Sequence, residues 1–153
     1  MKNKNLLRAV AIVVIAALSL SFFLACEPTD DNNTNDINLA NTEWKLIAFV
    51  DITNDTSITP TLLPYDNDTY TLNFTNDTLL KGRSSSNYLG GHYKVYQNDS
   101  ISLKVAQQTF ALEINEGNLF VESLNNVSSY HISDNSLKLY YNNRHNYLKF
   151  ERR

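Results

Sequence analysis

Apolar residues in this chain form one long block followed by many short runs. The block extends almost unbroken from Ala9 to Leu24 and stops at Cys26, ahead of Glu27, Pro28, Thr29 and Asp30. Past residue 40 the pattern changes to a period of two, the mark of strands with one buried face. Thr42 to Ile52 alternates loosely, placing Trp44, Leu46, Ala48 and Val50 on one side, with Trp44 as a core plug. Asn54 to Asp68 is rich in Thr, Asp and Pro and reads as a long loop over one end of the domain. Tyr70, Leu72 and Phe74 alternate with Thr71 and Asn73, and Asn76-Asp77 turns the chain into Leu79 to Arg83. A second pair joins Tyr93 and Val95, through Asn98-Asp99, to Ile101, Leu103 and Val105. A third joins Val127 to Ile132, through Asp134-Asn135, to Leu137 to Tyr141, and Tyr147 to Phe150 follows a turn at Asn142 to Arg144.

One stretch leaves this period. Around residues 116–126, Leu119, Phe120, Leu124 and Val127 recur at helical spacing, which predicts one short helix. The expected fold is mainly β: an antiparallel, lipocalin-like barrel or closed sheet of about eight strands, since closure removes sticky sheet edges. The other arrangement open to the pattern is a sandwich of two sheets.

The long apolar block changes the picture of the N-terminus. Lys2, Lys4 and Arg8 precede it, and the layout is that of a signal peptide over residues 1–25. No basic stop-transfer cluster follows it, and the single cysteine of the chain lies at its end. The junction resembles a lipobox, with Ala25 as the small residue before the cysteine, although Leu24 and Phe23 depart from the commoner pattern. That resemblance implies a diacylglycerol thioether on Cys26, with a further acyl chain such as palmitate on its amine. Two or more chains make membrane anchoring stable. Residues 26–40 then read as a flexible acidic tether, in which Asp30 and Asp31 resemble a surface-export signal of Bacteroidota-type lipoproteins. Residues 41–153 remain as one domain of about 110 residues, enough for one core.

Charge and cysteine content exclude several classes. Of 13 Lys and Arg and 16 Asp and Glu, the leader holds Lys2, Lys4 and Arg8, which leaves the part after residue 25 acidic and a poor partner for nucleic acid. A lone cysteine permits no intramolecular disulfide and no thiolate metal cluster. His92, His131 and His145 show no ligand spacing, so neither a metal nor a cofactor is expected. No Gly-x-Ser-x-Gly elbow occurs.

The C-terminal half carries a series of positions that resembles the META domain, the family of heat-inducible lipoproteins linked to novobiocin resistance. The positions are Gly82, Asn87, Gly91-His92-Tyr93, Thr109, then Phe120, Leu124, Val127 and Tyr130, then Leu137-Lys138-Leu139 and Leu148-Lys149-Phe150, with Trp44 as the opening Trp. Ser85-Ser86-Asn87 stands where the family often has Gly-Cys-Asn, and Phe110-Ala111-Leu112 replaces its Met-Ala-Cys. The resemblance implies a lipocalin-like barrel at the cell envelope and no established enzymatic activity.

The most unusual stretch is Arg83 to Tyr93, where Arg83, Ser85, Ser86, Asn87, Tyr88 and His92 could line a barrel mouth. The structural alternative is a wide turn that uses Gly90 and Gly91 for positive φ. Tyr140, Tyr141 and Tyr147 could form an aromatic strip for a glycan or partner, of which alternation lets only part face outward. The functional expectation is a non-catalytic lipoprotein of the outer membrane, facing periplasm or cell surface, that binds an envelope protein or cell-wall component in envelope maintenance or stress response. The second reading is a small-ligand carrier with a barrel cavity, and a distant third is an envelope hydrolase.

Overall fold

The computed structural model describes residues 38–64 and 66–153. The signal peptide, Cys26 and most of the tether lie outside the described residues. The domain is mainly β, an antiparallel eight-strand path curled into a half-barrel with a single short helix. The strands are β1 (Thr42–Asp51), β2 (Thr56–Ile58), β3 (Thr71–Phe74), β4 (Leu79–Arg83), β5 (Tyr88–Val95), β6 (Ile101–Gln107), β7 (Ser129–Ser133), β8 (Ser136–Tyr141) and β9 (Asn146–Arg152), with helix α1 (Gly117–Asn125) between β6 and β7. Their order is β6-β5-β4-β3-β1-β9-β8-β7, and the short β2 pairs with β1.

Asparagine explains why so many tight turns are possible with only four glycines. Among the described residues, positive φ occurs at Asn41, Asp55, Asn98, Asp99, Asn115, Asn142 and Asn143, and otherwise only at Tyr70 and Arg144; no glycine uses it. Asn and Asp tolerate the left-handed region and hydrogen-bond the turn locally. In the β3–β4 turn, for example, Asn76 Oδ1 accepts the amides of Thr78 at 2.9 Å and Leu79 at 2.8 Å. The expected use of Gly90 and Gly91 for positive φ therefore does not hold. Both lie inside β5, and a Cβ on Gly91 would come within 2.1 Å of the Lys104 carbonyl oxygen. Close approach of β6, rather than a turn, requires a glycine there.

The inward faces of the strands fill the curl with Trp44, Tyr70, Leu72, Phe74, Leu137, Leu139, Leu148 and Phe150, all fully buried. Three sequence-based expectations are corrected. The alternation of β1 breaks at a bulge between Leu46 and Ala48, where the register against β9 shifts. An extra residue flips the later positions to the other face, so Phe49 is buried in place of Ala48 and Val50. Leu39, assigned to the tether, is buried in the core. Leu119 stands at the rim of α1 and is exposed, whereas Phe120 and Leu124 face inward.

The outermost strands β6 and β7 meet at one end only. Ile101 N–H donates to Ser128 O at 3.1 Å and Tyr130 N–H to Asp99 O at 2.9 Å, forming a single bridge between Ser100 and Ser129. Beyond it the edges diverge, and α1 packs against β6 and β8. Phe120 reaches from α1 to the concave face, its ring 5.6 Å from that of Tyr70 in an edge-on pair and 6.3 Å from that of Phe150.

Candidate functional site

The β4–β5 turn, Ser84 to Asn87, is packed against the extended segment that runs from β6 to α1. Three of its residues, Ser84, Ser85 and Asn87, are buried although polar, so each needs a partner. Glu113 supplies most of these. Its carboxylate accepts hydrogen bonds from the Ser84 hydroxyl, the Ser85 hydroxyl, the Ser86 amide at 3.2 Å, Asn87 Nδ2 at 2.8 Å and Gln107 Nε2 at 2.9 Å. The Asn87 amide completes the contact by acting like a strand. It accepts Ala111 N–H at 2.7 Å and donates to Ala111 O at 2.8 Å, while the Thr109 hydroxyl donates to its Oδ1 at 3.0 Å.

Burial alone pushes the Glu113 carboxyl up, but the bonds from Ser84, Ser85, Asn87 and the Ser86 amide outweigh it and hold the group below the ordinary carboxylate value. A carboxylate so held is a weak base at neutral pH, and its five donors leave it little capacity to accept a substrate proton. Chemically the cluster is a clamp. A second carboxylate, Glu116, works the same way nearby: it accepts Thr61 N–H at 2.9 Å, the Thr61 hydroxyl at 3.1 Å and the Tyr70 hydroxyl at 3.4 Å. Desolvation, then the Glu116 charge, pushes Tyr70 up to about 12.

The clamp has a consequence on the other side of the segment. Glu113 points inward and Asn87 holds the Ala111 backbone, whereas Phe110, Leu112 and Ile114 are exposed, Phe110 to 92% and Leu112 to 86%. Among the described residues no hydrogen bond engages the backbone of Phe110 or Leu112. The result is an apolar lip with an open backbone edge, pinned from behind. It stands at the Arg83–Tyr88 end of the β4–β5 hairpin, whereas Asn38 lies by Asp77, Thr78, Tyr93 and Val95 at the opposite end.

The six loop residues singled out by sequence do not share one surface. Ser85 and Asn87 face inward to the clamp, and Ser86 is half-buried at its edge. Arg83 forms a two-pronged ion pair with Asp66, at 2.7 and 3.0 Å, and stacks 5.5 Å from the Tyr88 ring centre. Tyr88 is 62% exposed beside the lip, its amide donating to Thr109 Oγ1. His92 is exposed farther along β5, opposite Leu79 and Lys104. Among the described residues no cluster of His, Cys, Asp or Glu could hold a metal. Of the three tyrosines, Tyr141 is buried, while Tyr140 and Tyr147 pair across β8 and β9 with ring centres 5.4 Å apart. Sequence reasoning missed Glu113. Its one local signal is the alternation Phe110, Leu112, Ile114, which places Glu113 on the opposite face.

No family model and no curated protein matches the chain. A solved structure of a DUF4847 family protein from Bacteroides vulgatus is similar in fold, with a TM-score of 0.57 at 16% identity over 74% of this chain and 93% of that one. At this identity the likeness concerns the fold alone.

Proposed function

We propose that the chain is a non-catalytic envelope lipoprotein, anchored through lipid on Cys26, whose META-like domain binds a protein partner at the Phe110–Leu112 lip. The observation that carries this reading is the pairing of rigidity with exposure. Neighbouring exposed apolar side chains, here Phe110, Leu112 and Ile114, are the kind of contiguous patch that marks an interaction surface. Here they sit on a segment fixed by Glu113 and Asn87, so binding costs little ordering entropy. The unengaged backbone of Phe110 and Leu112 suits addition of an extended strand from the partner, with the apolar side chains giving specificity. The carrier reading has less support, because the concave face is occupied by Trp44, Tyr70, Phe74, Phe120 and Phe150, all fully buried.

The test is site-specific photocrosslinking of the full-length lipoprotein in its own host, with the probe at Leu112 and, as control, at Lys94. The expected result is one envelope protein crosslinked from Leu112 and absent from Lys94, and lost when Phe110→Ser is added. Equal products from both positions, or a product insensitive to Phe110→Ser, would refute the proposal.

A further inference from the structure

The outer face of β7, β8 and β9 carries two parallel rows of side chains that the lip does not use. Register places His131, Lys138 and Lys149 in one row and Ser129, Tyr140 and Tyr147 in the next. Neighbours within a row are about 4.8 Å apart and the rows about 7 Å apart, from the spacing of strands and of alternate residues. Lys138 and Lys149 stand directly opposite each other, an arrangement that repels. Among the described residues neither has an ion-pair partner. Glu151 lies on the same face two residues beyond Lys149, opposite Ser136, and is the carboxylate nearest by register. The ammonium of Lys138 lies 5.2 Å from the Tyr147 ring centre, and the Arg144 guanidinium lies 4.2 Å from that of Tyr140. Arg144 reaches there from a turn in which Asn142, Asn143 and Arg144 all have positive φ, and its Nη1 donates to Ser129 Oγ at 3.3 Å. Arginine at φ 67° is strained, yet this conformation draws a third cation onto the same face.

We propose that this face binds a linear acidic polysaccharide. Its cations lie in a narrow band on a domain that is acidic overall, so a broad polyanion such as a duplex or an anionic bilayer meets net repulsion beyond the band. A single sugar chain crossing β8 and β9 fits within it. Carboxylates along the chain then relieve the Lys138–Lys149 repulsion by charge-assisted hydrogen bonds. The tyrosine row offers amphipathic rings for the apolar faces of the sugars and hydroxyls for their edges.

The experiment measures binding of the purified full-length chain to polygalacturonate and to its methyl ester at low salt, and compares the partition of wild type and of Lys138→Gln/Lys149→Gln into phosphatidylglycerol vesicles. The expected result is equal vesicle partition of the two proteins, since the anchor drives it, and binding to polygalacturonate but not to its ester. The Lys138→Gln/Lys149→Gln variant weakens it by about tenfold or more, the loss of hydrogen bonds to charged groups, and Tyr147→Ala weakens it while both lysines remain. These positions face outward, and unchanged circular dichroism of each variant verifies folding. No binding to polygalacturonate, equal binding to the ester, a vesicle partition that falls in the double lysine variant, or full polygalacturonate binding by that variant each overturns the proposal.

Discussion

The side-chain amide of Asn125 pairs with the backbone of Val105 in both directions, accepting its N–H at 2.9 Å and donating to its carbonyl at 3.1 Å. A residue at the end of α1 thus takes the place of the missing neighbour strand where β6 diverges from β7. Asn125→Ala leaves two backbone groups unpaired and is expected to cost about 1–2 kcal/mol. Thermal unfolding reads the loss. The variant should also aggregate faster at equal temperature, because the β6 edge becomes a template for another chain.

Glu113→Gln tests the clamp. A glutamine turns an NH2 toward hydroxyl and amide donors, leaving at least one of them unmatched, at an expected cost of about 1–3 kcal/mol. The wild-type carboxyl is held below its ordinary value of 4.5. Stability from that group is therefore complete above 4.5 and is lost as the pH falls through the lower, folded value. Melting temperature against pH should drop on this acid side in wild type and be flatter there in Glu113→Gln. Parallel curves for the two proteins would show that the clamp contributes no such linkage.

The strand set was legible in the sequence because each strand buries one face, and inward positions such as Leu137, Leu139, Leu148 and Phe150 declare themselves by alternation. The bulge in β1 was not, since a bulge is a property of the pair and only the β9 register exposes it. Glu113 escaped for a related reason. Its partners Ser84 and Asn87 lie 29 and 26 residues away, and no local period encodes a contact between a turn and a connecting segment. The outward pairing of Tyr140 with Tyr147 was only partly visible: alternation lets part of the set Tyr140, Tyr141 and Tyr147 face outward, and the register of β8 against β9 settles which.

The lip should be dispensable for folding. Phe110 and Leu112 bury almost nothing, so Phe110→Ser and Leu112→Ser are expected to change stability by no more than about 0.5 kcal/mol. By contrast Phe120→Ala, which removes the anchor of α1 from Tyr70 and Phe150, should cost about 3–5 kcal/mol. Urea titration of the three variants checks this contrast. A large loss from Phe110→Ser would mean that the lip is part of the fold.

Tyr70 makes the last prediction, at the alkaline end. It is fully buried, adopts a positive φ of 53°, and its hydroxyl donates to Glu116 at 3.4 Å. Desolvation and the Glu116 charge both disfavour the phenolate and raise the group from 10.0 to about 12. A group that holds its proton more tightly in the fold than in the unfolded chain adds stability that is complete below the unfolded value, and that stability is lost as the pH rises through the folded one. Stability should therefore decline from pH 10 toward about 12. Ultraviolet titration should show a late tyrosine step at about 12, beyond the ordinary value of 10.0. Tyr70→Phe removes both the late step and its share of the alkaline loss, while keeping the ring that packs against Phe120. If the late step persists in Tyr70→Phe, another tyrosine is its source.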